Sequence, residues 1–347
     1  MEPAAETCGE TRAETARVLL ETTDMPMDVL SFVAGFATVR RLHQAVGEAF
    51  GTTPARMRAT APTPVAEPAT VTVLLAYSPP MDLDATLAFL GRRAIPGVET
   101  YESGCCSRTV RASGGPARIS LSAAEGAIAC RIELTDRRDL VTMMSRARRL
   151  LDLDADQSAV DAQLGADPEL GPLLATRPGL RAPGAVDGFE MAIRAVVGQQ
   201  ISVSGARTLL GRIAAEHGSR AFDGQATQLF PGPAQLAAID PASLPMPRSR
   251  AATVLAIAEA CASGDLRLDP DADRRRELAA LLALPGVGPW TADYIRMRAM
   301  GDRDVLLATD LGVRRSAEEL DVDLSDGRPE WAPWRSYATH HLWAAGH

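Results

Sequence analysis

The stretch LPGVGPWTADY, residues 284–294, constrains the fold more tightly than any other part of the chain. Two prolines and two glycines fall between Pro285 and Pro289, so no helix runs through, yet helix-like apolar segments flank both sides. The spacing predicts one helix ending at Ala283 and a second starting at Pro289, where the missing N–H of proline costs nothing. Gly286 and Gly288 permit positive φ and leave no side chain beside the turn. Such a corner presents backbone amides next to a helix N-terminus, which suits an anion such as a DNA phosphate. A tight helix–helix corner with no ligand is the plainer alternative.

All four tryptophans, Trp290, Trp331, Trp334 and Trp343, lie in the last part of a chain that is only 4% aromatic. Trp290 and Tyr294 are four residues apart and share a helix face. The cluster reads as a stacking pocket beside the corner, with a Trp-rich core of a small lobe as the alternative; Trp331 and Trp334 suit that core. Asp310 follows an apolar run and precedes a helix. It reads as an N-cap, as a carboxylate facing developing positive charge, or as both at once.

Other features narrow the function. All 36 basic side chains are arginine, because the sequence contains no lysine. Side-chain Schiff-base chemistry and the phosphate-loop lysine of nucleotide hydrolases are therefore excluded. The five cysteines (Cys8, Cys105, Cys106, Cys130, Cys261) form no metal-ligand spacing, so no zinc or iron–sulfur site is expected. They read as reduced, inert thiols, with Cys105 and Cys106 on opposite faces of a strand. A net charge of −8 argues against a surface that coats nucleic acid everywhere, while leaving room for a local basic face. No apolar run approaches the ~18 residues of a membrane span, and the polar, acidic first residues are unlike a signal peptide. The default expectation is a cytoplasmic protein with no membrane association.

A length of 347 residues suggests two or three domains. Residues 11–58 read as helical, with a break at Gly35 and a second run from Thr38 to Phe50. That pattern suggests a helix-turn-helix whose second helix carries Arg40, Arg41, His43 and Gln44, against the alternative of solvated charges on an ordinary helix pair. TAPTPVAEPAT then reads as an extended linker. From Val71 to Leu153 the period shifts to strands: TVTVLLAY, ETYESGCCSRTVRA as one alternating strand, and ARISLSAAEGAIACRIEL as two strands with a turn at Ala124–Gly126. The segments LDATLAFLGRR and DLVTMMSRARRLLDL read as helices on one face of that sheet. Everything from about Gln157 onward reads as helices with Pro/Gly corners. The expected class is α+β, predominantly α. It comprises a helix-turn-helix at 1–59, a linker at 60–69, a small antiparallel-sheet α/β domain at 70–153, and an all-α region at 154–347 in two lobes.

The motifs LPGVGPWTADY, DVLLATDLGVRR and PWRSYATHHLW together resemble the helix-hairpin-helix/Gly-Pro-Asp superfamily of DNA glycosylases. Within it the chain is similar to the 3-methyladenine DNA glycosylase II (AlkA-type) family. RPGLRAPG and FEMAIRAVVGQQIS match that family's middle domain, and residues 71–153 match its N-terminal sheet domain in order and length. Residues 13–58 resemble the second helix-turn-helix of AraC-type regulators in the version found in Ada. The resemblance implies that Asp310 is catalytic and that Trp290, Tyr294 and Trp343 line the base pocket. It implies that Gly286, Val287 and Gly288 grip DNA phosphate, where hairpin carbonyls can hold a monovalent cation, and that no other cofactor is needed. It places Gln199 and Gln200 at the gap left by a flipped nucleotide, with Gln200 standing where an apolar wedge can occur. It gives Arg40 and Arg41 a DNA-binding role. Trp290 stands where glycosylase/lyase relatives carry a nucleophilic lysine, so the implied activity is base release without strand cleavage. The implied partners are duplex DNA containing alkylated bases and promoter DNA at the helix-turn-helix, bound by a monomer. No Cys-rich zinc module and no Pro-Cys-His-Arg methyl-acceptor motif is present. The competing expectation is an Ada-like transcriptional regulator whose glycosylase portion is inactive.

Overall fold

The computed structural model describes residues 4–61, 67–224 and 226–346, with side chains from Arg12 onward. The Cys8 side chain and residues 62–66 of the expected linker lie outside the described residues. The chain runs α1 (Ala4–Thr22), α2 (Met27–Val33), α3 (Val39–Phe50), α4 (Pro54–Ala59), β1 (Ala69–Leu75), α5 (Leu83–Arg92), β2 (Glu99–Glu102), β3 (Cys105–Ala112), β4 (Gly115–Ala124), β5 (Ala127–Leu134) and α6 (Leu140–Leu150). It continues through α7 (Gln157–Leu164), α8 (Gly171–Thr176), α9 (Gly188–Val197), α10 (Val203–His217), β6 (Ser219–Arg220), β7 (Gln228–Leu229), α11 (Pro233–Ala237), α12 (Arg248–Ser263), α13 (Arg274–Ala283), α14 (Pro289–Arg298), α15 (Leu311–Glu319) and α16 (Arg335–Ala345). Two compact units result, Met1–Tyr77 with Glu102–Arg148, and Ser78–Tyr101 with Arg149–His347.

In the first unit four antiparallel strands form a sheet in the order β1-β5-β4-β3. Alternation decides its faces: Val71, Val73 and Leu75 of β1 are buried, while the residues between them are half-buried. The β4–β5 turn falls at Glu125-Gly126, as the sequence predicts, with Gly126 at φ 66°. ETYESGCCSRTVRA, by contrast, is two strands and not one. Ser103 and Gly104 both take positive φ (51° and 74°) and break it, a conformation the composition of the run does not announce. Cys106 is buried and Cys105 half-buried, consistent with opposite faces. Burial raises the Cys130 thiol far above its usual range and pushes Cys261 up to about 12, so neither is a reactive thiolate.

The N-terminal helices belong to this same unit. Thr38 caps α3 by accepting from the Arg41 N–H at 3.3 Å, and α3 buries Leu42 and Val46 while exposing Arg40, Arg41, His43 and Gln44. Helix α1 lies along β1, where the Thr15 hydroxyl meets the Thr72 N–H at 3.4 Å and carbonyl at 3.5 Å. Glu21 receives the Arg137 guanidinium at 2.5 Å, with both side chains mostly buried. Residues that the sequence divides into helix-turn-helix and sheet segments thus pack as one body. Residues 78–101, which the sequence groups with the sheet and which include α5, cluster with the helical residues instead.

The second unit has two cores. One gathers Ile193, Val197, Val254, Ile257, Leu281 and Ile295 from α9, α12, α13 and α14. The other gathers Val160, Leu164, Val313, Trp331, Tyr337 and Leu342. Trp331 is buried and donates its Nε1–H to Asp167 at 2.7 Å, and Trp334 packs edge-on to Tyr337. Both tryptophans serve the core. Among the described residues, no helix is long and apolar enough to cross a membrane.

His341 is 2% exposed, and burial, with a smaller push from Arg177, lowers its pKa to about 4. A depressed histidine pKa means that the unfolded chain binds the proton more tightly. Stability is therefore complete above about pH 6.5 and is lost as pH falls toward 4. The loss at the acid limit is about 3 kcal/mol, from 1.36 kcal/mol per unit. Thermal unfolding across this range should show the decline, and His341→Gln should flatten it; an equal slope in both proteins would contradict the assignment.

Candidate active site

Helix α13 ends at Ala283 and α14 begins at Pro289, as the corner sequence predicts. Gly286 is doubly required: its φ is 80°, and a Cβ there would stand 2.1 Å from the Thr253 hydroxyl oxygen. Gly288 departs from expectation, since it is extended (φ −93°, ψ 176°) and serves as the N-cap of α14. Val287 buries its side chain in the core and donates its N–H to the Leu284 carbonyl at 3.2 Å. The exposed amides of Gly286 and Gly288 have no partner among the described residues and remain available to an anion.

The two glutamines part company. Gln199 donates its side-chain amide to the Gly286 carbonyl (3.2 Å) and the Thr291 hydroxyl (2.8 Å), fastening the end of α9 to the hairpin. It braces the corner and does not reach away from it. Gln200 is exposed and sits at φ 57°, an unusual conformation for a non-glycine residue.

Asp310 takes the N-cap role that the sequence offered, and its second oxygen turns toward the tryptophans. As N-cap of α15 its Oδ1 accepts the N–H groups of Gly312 (2.9 Å) and Val313 (3.2 Å). The Trp343 Nε1–H adds to Oδ1 at 2.8 Å, and the Trp290 Nε1–H reaches Oδ2 at 3.0 Å. Trp343 comes this close because residue 312 is glycine: a Cβ there would sit 3.2 Å from the indole. Four donors fix a half-buried carboxylate between two indoles. Tyr294 completes the cluster, stacked on Trp290 at 5.4 Å and tilted against Trp343 at 6.1 Å.

Sequence reasoning missed the groups behind this cluster. Phe89, on α5, stacks on Trp343 at 6.4 Å, and the His340 ring meets Trp343 edge-on at 5.0 Å. The Arg93 guanidinium lies 3.8 Å above the Phe89 ring, and that of Arg298 sits 5.0 Å from Phe89 and 5.9 Å from Tyr294. Arg298 is 2% exposed and donates to the Pro183 and Gly184 carbonyls and to the Tyr294 hydroxyl. Desolvation lowers the pKa of both guanidiniums, that of Arg93 to about 10. Only the one-turn spacing of Tyr294 and Arg298 hinted at any of this. Arg40 and Arg41 lie in the other unit, exposed on α3.

A pair of helices joined by such a corner, followed by a carboxylate at the next helix N-terminus, is the architecture of the helix-hairpin-helix glycosylases. A solved 3-methyladenine DNA glycosylase from Archaeoglobus fulgidus shares the fold, with TM-score 0.68, 20% identity, and 79% of this chain and 97% of that chain covered. The sequence comparisons go further. Residues 72–187 match the AlkA N-terminal domain family. DNA-3-methyladenine glycosylase 2 of Escherichia coli is 33% identical over 275 residues, 78% of this chain and 95% of that protein. A probable bifunctional transcriptional activator/DNA repair enzyme AlkA of Mycobacterium tuberculosis is 42% identical over 343 residues, 96% of this chain and 69% of that protein. The chain belongs to the AlkA family of DNA-3-methyladenine glycosylases.

Proposed function

We propose that this chain is a DNA N-glycosylase that releases alkylated, 3-methyladenine-type bases from duplex DNA by hydrolysis. The observation that carries the reading is the Asp310 carboxylate pinned between the Trp290 and Trp343 indoles. An N-alkylated purine is cationic and its glycosidic bond is already weakened, so little leaving-group protonation is needed. Extruding it costs a few kcal/mol, less than for an intact pair. The indole faces supply cation–π attraction of roughly 0.5–2 kcal/mol each. Tyr294 contributes less charge recognition, since Arg298 already opposes its ring. As the bond breaks, positive charge moves to the sugar, where Asp310 stabilises it and orients the attacking water. The free amides of Gly286 and Gly288 hold a backbone phosphate. The Leu284 and Gly286 carbonyls each accept one protein hydrogen bond and keep a second lone pair for a monovalent cation, and no step here depends on one.

With no lysine side chain, the site lacks the amine that would form a Schiff base with the sugar, and release should leave the strand uncut. Incubation with duplexes carrying a panel of alkylated bases tests both points. Free base without strand incision is expected. Sequence-selective binding of undamaged promoter DNA with no release from any substrate would return the regulator reading, and incision coupled to release would overturn the simple hydrolase.

We also assign α3 to a second DNA contact, because Arg40, Arg41, His43 and Gln44 form its exposed face. Arg40→Ala and Arg41→Ala should each weaken binding to undamaged duplex and reduce the salt slope by about one, leaving base release from a short damaged duplex unchanged. Unaltered slopes would remove α3 from the interface.

A further inference from the structure

A cavity of about 160 Å³ lies beside the aromatic cluster, bordered by Trp343 and Phe89 but by none of Asp310, Trp290 or Tyr294. Its lining includes four arginines, Arg92, Arg93, Arg177 and Arg181, and no carboxylate. Arg92, Arg93 and Arg177 form no ion pair among the described residues. Arg181, fully buried, donates to the backbone carbonyls of Ala155, Ser78 and Pro80. Arg92 and Arg93 close the C-terminus of α5, where a cation favourably meets the helix dipole. That role covers Arg93, whose Nη1 donates to the Phe89 carbonyl of α5 at 3.3 Å while its guanidinium lies over the Phe89 ring, but it does not account for the convergence of Arg177 and Arg181 from another segment. His340 also lines the cavity; it is 4% exposed, and its Nε2 has no hydrogen-bond partner. Burial first, and then Arg298 and Arg93, hold that imidazole neutral by lowering its pKa. Excess positive charge at a half-buried site is costly unless an anion occupies it.

We infer that this cavity is a phosphate-binding site, distinct from the hairpin amides, in which Arg93 and Arg177 are the anion's principal guanidinium partners. Planar guanidinium forks match phosphate oxygens in pairs. The volume equals about five waters at ~30 Å³ each, room for one phosphate group. The group comes either from the DNA backbone or from free phosphate.

The test uses the full chain in a phosphate-free buffer, titrated with inorganic phosphate while thermal unfolding and tryptophan fluorescence are followed. A saturable rise in Tm of about 2–4 °C is expected. It should be absent from sodium chloride at matched ionic strength and much reduced in Arg93→Gln and in Arg177→Gln. Arg177 is only half-buried, so its variant keeps the test open should Arg93→Gln fold poorly. A rise that does not saturate, or is undiminished in both variants, overturns the site. Repeating the titration with a saturating duplex that carries an abasic-site analogue separates the sources. Loss of the phosphate response identifies the DNA backbone as the occupant, and its persistence identifies free phosphate. Base release measured on the same preparations reports separately on the glycosylase reading.

Discussion

Asp310→Asn is expected to lower base release from alkylated duplex DNA by at least 10²–10³-fold, the order lost when one preorganised electrostatic contact to a transition state is removed. Asparagine caps helices about as well as aspartate, so Oδ1 can still serve Gly312, Val313 and Trp343. The negative charge is lost, and an NH₂ replaces the oxygen that faces the Trp290 Nε1–H, setting donor against donor. The variant should therefore fold and bind damaged DNA while failing at the chemical step. Asp310→Ala removes the cap as well and should lose a further 0.5–2 kcal/mol or so of stability. Single-turnover base release, beside Tm and duplex affinity, separates these effects. Near-normal release by the asparagine variant would remove Asp310 from the reaction.

The largest effect on stability is expected from Arg194→Met. Arg194 on α9 meets Glu99 at 2.6 Å and Glu190 at 2.5 Å, and the three side chains are 13%, 12% and 8% exposed. Burial opposes the Arg194 charge, yet the two carboxylates more than offset it and keep the guanidinium pKa above its ordinary value. Replacing it with methionine leaves two like charges buried close together, at a cost of about 3–5 kcal/mol. Tm should fall by roughly 10 °C or more. Adding Glu190→Gln should restore part of the loss, because the damage comes from uncompensated charge and not from lost packing. A double variant no more stable than Arg194→Met would contradict this account.

Much of the site was legible because its determinants are local. The corner could be bounded to the residue, since proline and glycine impose their own dihedral limits, and Asp310 could be placed because capping is written in the few residues around it. Trp331 and Trp334 belong to the core as expected, while Trp290 and Trp343 gather on Asp310. What escaped was long-range. Phe89 reads as one apolar position of an ordinary amphipathic helix, and nothing near it signals Trp343, more than two hundred residues away. The resemblance places Gln199 at the gap of a flipped nucleotide, and nothing in its neighbourhood signals that the hairpin receives its amide. The break at Ser103-Gly104 failed for the opposite reason: alternation continues across it, and period alone does not reveal a reversal of direction.

The seating of α1 along β1 bears on how the protein can be divided for study. β1 is an outermost strand of its sheet, and the Thr15 hydroxyl occupies backbone groups of Thr72 that would otherwise seek another strand. Trimming residues 4–59 to obtain a minimal enzyme would uncover that border and orphan the Arg137 guanidinium from Glu21. The trimmed protein should self-associate, a defect of exposed edges that could easily be mistaken for a catalytic requirement.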